Sequence, residues 1–263
     1  MADRERLAIV TGGARRIGRR ICEVLAANRH AVCIHYNSSE ADAVDLKQRI
    51  EEAGGTAMIH GADLTQSGAA DELIEAALEL GRPGILVNNA SCFDYDRPGD
   101  WDSAQFENTL RTNLIAPLAV SKAFHARIGP DWQDPNIVTI LDQKLFNRNP
   151  DYFTYTISKA GLQEAQYLMA MSYGPACRVN AVAPGLTLVS GPQSASQFEE
   201  VHGRTLLGRG TVPDDIARAV LYLGGATGVT GACLSVDCGQ RHVASDRDVM
   251  FLRPERESEG GER

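Results

Sequence analysis

The sequence predicts a doubly wound α/β domain built on a seven-stranded parallel sheet with helices on both faces. Short apolar runs rich in β-branched residues alternate along the chain with longer segments of helical period. A glycine-rich turn joins the first apolar run to the first helical segment. The chain has 263 residues, of which 43% are hydrophobic, so it can bury one substantial core. We therefore expect a single Rossmann-type domain over residues 1–244, followed by a charged and partly mobile tail over residues 245–263.

The predicted elements follow from the spacing of apolar residues. In the first helical segment Ile17, Ile21 and Leu25 recur every four residues and so share one helix face. Similar patterns occur around residues 40–53, 67–80, 103–128, 152–173 and 213–223. The seven predicted strands lie at residues 7–11, 31–36, 56–60, 85–87, 136–141, 178–182 and 233–236.

Composition excludes several classes of function. A formal net charge of −8 argues against nucleic acid as the main partner, since that polymer requires a basic surface. The first ten residues are too polar for a signal peptide, and no apolar run approaches the roughly 20 residues that span a bilayer. The six cysteines form no C-x-x-C pair and the six histidines are scattered. We expect a cytoplasmic protein with reduced cysteines, no metal site and no membrane partner.

The glycine-rich turn "TGGARRIG", residues 11–18, is a candidate phosphate-binding loop. Glycines let backbone N–H groups approach a pyrophosphate, whose charge the following helix N-terminus favours. The expected cofactor contacts here are Thr11, Gly12, Arg15, Arg16, Ile17 and Gly18. By itself the turn is also compatible with a tight connection that binds no ligand, and Arg16 with a solvated residue at a helix start.

The stretch "YTISK" places Tyr155 and Lys159 four residues apart, on one face of a predicted helix. An ammonium beside a phenol favours the phenolate, so we expect Lys159 to lower the pKa of Tyr155 and make it a proton donor or acceptor. Asp63 follows the third predicted strand, "NNAS" closes the fourth, and Asn113 lies in a predicted helix.

In their order and approximate spacing these motifs resemble the short-chain dehydrogenase/reductase family, over about residues 7–240. The resemblance rests on the T-G-x-x-x-x-x-G loop, N-N-A, Y-x-x-x-K and the pair Pro184–Gly185. It implies a nicotinamide-dependent oxidoreductase with Asn113, Tyr155 and Lys159 as catalytic residues. It further implies cofactor contacts from Tyr155, Lys159, Asp63, Leu64, Asn89, Ala90, Pro184 and Gly185. It also implies a homotetramer whose interfaces are formed by the helices around 103–128 and 152–173.

Asp142 lies thirteen residues before Tyr155, where most members of that family carry a serine that polarises a carbonyl oxygen. An ionised carboxylate cannot do so. It accepts hydrogen bonds from N–H groups, or donates a proton if burial raises its pKa. This chemistry suits a nitrogen heterocycle better than a ketone or an alcohol.

Two further departures from the wider family resemble its pteridine reductase branch. Arg16 stands at the position of the middle glycine, and Phe93 follows shortly after "NNAS". The resemblance implies that Arg16 lies against the cofactor phosphates and a pterin, and that Phe93 stacks the pterin against the nicotinamide. The implied substrate is a pterin or folate, with contacts from Arg16, Ser91, Phe93, Asp142, Tyr155 and Leu186. Two alternatives stay open: a carbonyl or alcohol oxidoreductase in which Asp142 has replaced the serine, and a non-catalytic nucleotide-binding regulator.

The end of the second predicted strand, "CIHYNSSEAD", bears on the choice of cofactor. NAD-dependent enzymes usually place a carboxylate at this position. In this stretch the first acidic residue is Glu40. Expected contacts with the adenosine end come instead from His35, Tyr36, Asn37, Ser38 and Ser39, which include donors for a 2′-phosphate, with charge from Arg15. NADPH is therefore favoured over NADH, although the two serines could also be only a helix cap. Residues 185–200 are expected to form a loop over the substrate, with Leu186, Leu188 and Val189 as apolar contacts.

Overall fold

The computed structural model describes residues 6–189 and 195–251 and contains the predicted sheet. The strand order is β3-β2-β1-β4-β5-β6-β7, and every neighbouring pair is parallel. The order reverses between β1 and β4, which is the position where doubly wound folds bind ligands. The strands are β1 Arg6–Val10, β2 His30–Tyr36, β3 Ala57–Gly61, β4 Arg82–Asn88, β5 Asn136–Ile140, β6 Arg178–Pro184 and β7 Cys233–Val236.

Helices cover both faces of the sheet, as predicted. The alternation of side chains along a strand explains why: in β1, Ala8 and Val10 point into one apolar core, and Leu7 and Ile9 point into the other. The helices are α1 Arg16–Ala27, α2 Glu40–Glu52, α3 Ala69–Leu78, α4 Ser103–Leu110, α5 Ala116–Ala126, α6 Phe153–Tyr173, α7 Ala195–His202 and α8 Pro213–Gly225. Helices α1, α2 and α8 contribute to the first core, and α3, α5 and α6 contribute to the second.

The predicted helix around 103–128 is not continuous. Between α4 and α5 the backbone forms a π-helical turn at Arg111–Ile115. Pro117 lies in the first turn of α5 and has no N–H to donate to the carbonyl of Asn113, as an α-helix would require. The wider turn contains Asn113, and such turns are frequent at functional sites.

Two other segments differ from expectation. Ala195–His202 forms α7, so the later part of the predicted 185–200 loop is helical, and residues 190–194 lie outside the described residues. Residues 245–251, predicted as the start of the tail, include a 3₁₀ turn at Val249–Phe251. Among the cysteines, Cys22, Cys33 and Cys177 are buried, whereas Cys92, Cys233 and Cys238 are half-buried. No helix within the described ranges is both long enough and apolar enough to cross a bilayer.

The buried Arg178 side chain joins the start of β6 to the loop before β5, through an ion pair with Asp134, and to the end of α8. The Arg178 guanidinium donates to Asp134 Oδ1 at 2.5 Å and to Oδ2 at 3.0 Å. It also donates to the carbonyl oxygens of Leu223 at 2.9 Å and Gly224 at 3.2 Å. One buried cation therefore binds a half-buried carboxylate and two backbone carbonyls at once.

We expect Arg178→Met to lower the free energy of unfolding by about 2 kcal/mol, because Asp134 loses two close hydrogen bonds from a buried guanidinium and keeps only the 3.5 Å contact with Arg6. The matched control is Arg49→Met. Arg49 pairs with Asp45 at 3.0 Å but its side chain is 65% exposed, so its loss costs less than about 1 kcal/mol. Urea denaturation of both variants measures the difference, and equal losses would contradict the role given to Arg178.

Candidate active site

A cavity of about 480 Å³ opens at the carboxyl ends of β1, β4, β5 and β6. It brings together most of the residues singled out in the sequence: Gly12, Arg15, Arg16, Ile17, Gly18, Asn89, Ala90, Ser91, Phe93, Asp142, Tyr155, Lys159, Pro184, Gly185 and Leu186. A smaller cavity of about 70 Å³ beside it is lined by Thr11, His35, Asn37, Asp63 and Leu64, among others. The described linings of the two cavities do not include Asn113, Tyr36, Ser38 or Ser39.

The glycine loop brings backbone close to the cavity. Gly12 has a φ of +60°, and a Cβ on Gly18 would lie 2.2 Å from the carbonyl oxygen of Gly12, so only glycine fits at position 18. Arg16 has a φ of +54°, in the left-handed region that glycine adopts without strain. Its Nη1 donates to the carbonyl oxygen of Val189 at 3.0 Å. The guanidinium thus connects the glycine loop to the segment after β6.

Thr11 and Asn89 hold the ends of β1 and β4 together. The Thr11 hydroxyl oxygen accepts from the backbone N–H groups of Asn89 at 2.9 Å and Ala90 at 3.1 Å. In return, Asn89 Nδ2 donates to the carbonyl oxygens of Thr11 at 2.9 Å and Gly12 at 3.0 Å. These bonds fix the backbone of two loops that line the cavity.

His35 has a different role from the one expected. Its Nδ1 accepts from the backbone N–H of Gly12 at 3.1 Å, and its Nε2 donates to the carbonyl oxygen of Ala62 at 3.0 Å. Burial lowers the pKa of His35 to about 4, so the ring is neutral. The expectation that His35 donates to a 2′-phosphate is therefore wrong: both ring nitrogens bind backbone, and the side chain supports the glycine loop.

The other residues after β2 are more exposed. Ser39 is the N-cap residue of α2, but its side chain makes no capping hydrogen bond, and Ser38 is exposed. Tyr36 packs its ring against Gly61, where a Cβ would lie 2.8 Å from the phenol oxygen. Arg15 contacts Asp42 Oδ2 at 2.5 Å through an exposed ion pair.

The reactive groups converge from β5 and α6. The Tyr155 hydroxyl donates to Asp142 Oδ2 at 2.8 Å, and Asp142 Oδ1 accepts from the backbone N–H of Lys144 at 2.8 Å. Lys159, one turn after Tyr155, donates from Nζ to the carbonyl oxygen of Ile140 at 2.9 Å. Tyr155 and Lys159 are buried. The arrangement places a phenol, a carboxyl group and an ammonium around one end of the cavity.

Burial controls the protonation of these groups. Desolvation raises the pKa of Asp142, and desolvation together with the Asp142 charge raises the pKa of Tyr155 well above its usual value. Desolvation lowers the pKa of Lys159 to about 8. The expectation that Lys159 lowers the pKa of Tyr155 is wrong for this structure, because the Lys159 Nζ is 5.7 Å from the Tyr155 ring centroid and is directed at Ile140. The phenol is neutral at neutral pH and can donate a proton.

Asn113 is fully buried behind the cavity wall. Its Oδ1 accepts from the Cys92 backbone N–H at 2.8 Å and the Ser91 hydroxyl at 3.1 Å. Its Nδ2 donates to Ser158 Oγ at 3.1 Å on α6. Asn113 therefore positions the loop after β4 against the helix that carries Tyr155.

Phe93 presents a partly covered ring to the cavity. The ring stacks on Tyr152 with centroids 4.0 Å apart, and meets Tyr155 edge-on at 4.7 Å. It is 38% exposed. Tyr152 therefore covers one face of Phe93, while the residue as a whole still contributes exposed surface beside the cavity.

Sequence reasoning missed part of the cavity wall. Gln143, Gln240, Asp248, Val249 and Met250 also line the cavity. Gln240 Oε1 accepts from the backbone N–H of Leu186 at 2.7 Å, which holds the start of the segment after β6. The only signal for the last three residues is the apolar run "VMF" that interrupts the charged C-terminal stretch.

Comparisons with known proteins agree on the family and differ on the substrate. The family model described as enoyl-(acyl carrier protein) reductase matches residues 12–241. Pteridine reductase 1 from Leishmania tarentolae is 28% identical over 89% of this chain and 95% of its own length. L-rhamnose 1-dehydrogenase (NAD(P)(+)) from Azotobacter vinelandii is 31% identical over 89% of this chain and 96% of its own length. The crystal structure of FolM alternative dihydrofolate reductase 1 from Brucella canis, complexed with NADP, has a TM-score of 0.87 and 35% identity, and covers 92% of this chain and 96% of that chain.

The buried His35 predicts a loss of stability in acid. Its folded-state pKa of about 4 lies below its ordinary value of 6.5, so on acidification the unfolded chain takes up a proton before the folded protein does. Full stability is present above about pH 6.5, and the free energy of unfolding falls by about 3 kcal/mol as the pH approaches 4. His35→Gln cannot titrate but keeps an acceptor and a donor. Urea denaturation at several pH values should show a weaker pH dependence for this variant, and identical slopes would refute the assignment.

Proposed function

Because the chain belongs to the short-chain dehydrogenase/reductase family, we propose that this oxidoreductase is an NADPH-dependent reductase of pteridines, of the dihydropterin or dihydrofolate class. The observation that carries the proposal is the hydrogen bond of 2.8 Å between the buried Tyr155 and the half-buried Asp142. The wider family has a serine at the position of Asp142. A carboxyl group there serves the protonation of a ring nitrogen better than the polarisation of a carbonyl oxygen.

The residues of the glycine loop fit a dinucleotide. The close approach of Gly12 and Gly18 leaves the loop backbone accessible to a pyrophosphate, and Arg15 and Arg16 supply cations at this end of the cavity. The smaller cavity beside Asn37, Asp63 and Leu64 suits the adenosine end. When bound, NADPH supplies a hydride.

Binding of the 2′-phosphate falls to Arg15 in this proposal. Its partner Asp42 forms an exposed pair with it, and exposed pairs are weak enough to exchange for a phosphate. No carboxylate precedes Glu40 after β2. Beyond the glycine loop the wall of the large cavity includes Asn89, Ala90, Pro184 and Gly185. In this proposal the ribose is held by Tyr155 and Lys159.

Tyr155 and Asp142 deliver the proton. Reduction of a C=N bond adds a hydride to carbon and a proton to nitrogen, and the chain must supply the proton. The pKa of each group is raised, which favours the protonated forms. In the proposed step both groups start protonated: Tyr155 donates its proton to the ring nitrogen, Asp142 passes its own proton to the phenolate, and solvent later returns one proton to the carboxylate.

Phe93 and Arg16 form the two sides of the proposed pterin slot. The exposed surface of Phe93 provides stacking worth about 1 kcal/mol beyond simple burial, while Arg16 reaches over the cavity to Val189. Ser91, held by Asn113 at 3.1 Å, and Leu186 complete the wall.

The second candidate is a carbonyl or alcohol oxidoreductase, which the identity to L-rhamnose 1-dehydrogenase favours. A panel assay distinguishes the two. Purified protein is mixed with NADPH and either dihydropterins, dihydrofolate or simple ketones, and absorbance at the nicotinamide band is followed. We expect loss of absorbance only with the pteridines, whereas consumption only with ketones would select the second candidate.

The proposed assembly is a cytoplasmic homotetramer. Leu168 is 57% exposed and Met171 is 80% exposed on α6, one of the helices for which the resemblance implies an interface. Large apolar side chains at such positions are typical of protein contacts. The division into a domain over 1–244 and a tail over 245–263 likewise stays a prediction.

Tyr155→Phe should lower kcat about 10²-fold or more while NADPH binds with unchanged affinity, because the variant keeps the ring and loses the proton. Asp142→Asn should also lower kcat, since an amide cannot share the proton. Tyr167→Phe, on the same helix and outside the described cavity lining, is the control and should keep full turnover. Near-normal turnover of Tyr155→Phe would eliminate the assigned role.

Phe93→Ala should weaken pterin binding by about 1 to 3 kcal/mol through lost stacking and burial, with little change in NADPH affinity. Arg16→Gly should weaken both ligands without destabilising the fold, because glycine suits the φ of +54° at this position. Phe146→Ala removes an aromatic ring of similar exposure, 44%, from outside the described lining. Titration with NADPH and with a dihydropterin gives the two affinities of each variant, and thermal melting gives its stability. Unchanged pterin affinity in Phe93→Ala and a silent Arg16→Gly would reject the slot.

A further inference from the structure

One wall of the cavity is built by residues 245–251, here called the C-terminal strap. Asp248, Val249 and Met250 of the strap line the same cavity as Asp142 and Tyr155. The proposed pteridine reductase mechanism does not use them. Their position raises the question of what holds the strap and what it contributes to the site.

The strap is anchored to a buried carboxylate. Arg247 donates from Nε to Asp151 Oδ2 at 2.8 Å and from Nη2 to Asp151 Oδ1 at 3.0 Å. The backbone N–H of Asp248 donates to Asp151 Oδ2 at 2.8 Å. Asp151 is fully buried, and a buried carboxylate requires such donors. Docking of the strap therefore satisfies a charge that the domain already carries.

Asp248 continues this network toward the reactive groups. Its Oδ2 lies 3.1 Å from Lys144 Nζ, and the Lys144 side chain is 3% exposed. Lys144 Nζ also donates to Asn149 Oδ1. The backbone N–H of Lys144 in turn donates to Asp142 Oδ1 at 2.8 Å. One residue thus contacts the strap through its side chain and Asp142 through its backbone.

We infer that the strap completes the active site, and that Asp248, paired with Lys144, is a positioning residue that sets the charge around Asp142 and holds Asp142 against Tyr155. The catalytic part of this inference rests on the proposed pteridine reductase function. The electrostatic part concerns groups of this chain alone.

The charges around Asp142 support the assignment. Four charged or titratable groups surround Asp142. Tyr155 and Lys159 face it from α6, Lys144 lies in the turn after β5, and Asp248 lies in the strap. Two further groups, Arg16 and Cys92, lie after β1 and after β4. Burial is the main cause of the raised pKa of Asp142, and the Asp248 charge raises it further, while the hydrogen bonds from Lys144 and Tyr155 and the charge of Lys159 lower it. Asp248 therefore favours retention of the proton.

Two substitutions in this ion pair should shift Asp142 in opposite directions. Asp248→Asn removes a negative charge, leaves Lys144 positive and lowers the pKa of Asp142. Lys144→Met removes the positive charge, leaves Asp248 negative and raises that pKa. A role limited to folding would not reverse sign between the two partners.

The experiment is a pH titration of the full chain labelled with ¹³C at the aspartate carboxyl carbons, with Asp142 assigned by the Asp142→Asn variant. We expect a fall of about one pH unit in the midpoint of Asp142 for Asp248→Asn and a comparable rise for Lys144→Met. Asp246→Asn makes the same change of charge on the strap, outside the described cavity lining, and should leave the midpoint in place. Should melting show that Lys144→Met is unfolded, Lys144→Gln repeats that arm. Unchanged midpoints in Asp248→Asn, or shifts of one sign in both partners, would overturn the inference.

A second arm follows kcat against pH with NADPH and a dihydropterin. Because the reaction needs the protonated pair, kcat should fall as the pH rises. The midpoint of this fall should lie at lower pH than in the wild type for Asp248→Asn and at higher pH for Lys144→Met. If the wild type reduces no dihydropterin while the NMR midpoints shift as expected, the proposed function fails and the electrostatic assignment of Asp248 stands. If turnover is present and the profiles of both variants match the wild type, the assignment of Asp248 fails and the proposed function stands.

Discussion

The hydrogen bond between Tyr155 and Asp142 is the interaction on which the rest of the site depends. A carboxyl group buried beside a phenol is stable only if hydrogen bonds or a proton offset its desolvation. Both occur here: Asp142 accepts from Tyr155 and from the backbone of Lys144, and burial raises its pKa. In the proposed function, the same desolvation that makes the carboxyl group costly lets it hold a proton for the reaction. Because Asp142 follows β5 and Tyr155 lies on α6, the bond depends directly on how the helix packs against the sheet.

A second constraint acts at the opposite end of the cavity, where backbone must come close to a ligand. Glycine at position 18 provides the approach, and the side chains of Thr11, Asn89 and His35 hold the loop backbone in place. The hydrogen bonds of these side chains are made to loop backbone, so they fix the shape that the loop presents to a ligand. Arg16 differs from these residues because its own backbone is strained. An arginine at a φ of +54° costs about 1 kcal/mol or more. In the proposed function, ligand binding by the Arg16 guanidinium offsets this strain.

Periodicity and motifs predicted the architecture and most of the residues that line the large cavity, because both are local signals. The strand pattern located all seven strands, although β4 begins at Arg82 rather than near 85, since Pro83 and Gly84 resemble a turn. The spacing of Asp142, Tyr155 and Lys159 was readable directly. Three features could not be predicted from the sequence, because they depend on burial and packing. They are the protonation of Tyr155, the hydrogen bonds of His35 to backbone and the π-helical turn at Asn113. The strap was missed because its charged composition is typical of a mobile tail, whereas its partners Asp151 and Lys144 lie 96 and 104 residues away in sequence.

The proposed activity is the reduction of a pteridine ring, with the proton supplied by Tyr155 and Asp142. Its most direct test uses NADPH that carries deuterium on the transferable position of the nicotinamide, incubated with the wild-type protein and a dihydropterin. Mass spectrometry and NMR of the product should show a tetrahydropterin with one deuterium on a ring carbon and none on nitrogen after exchange with water. Recovery of unchanged dihydropterin, while a ketone in the same mixture gains the deuterium, would contradict the account.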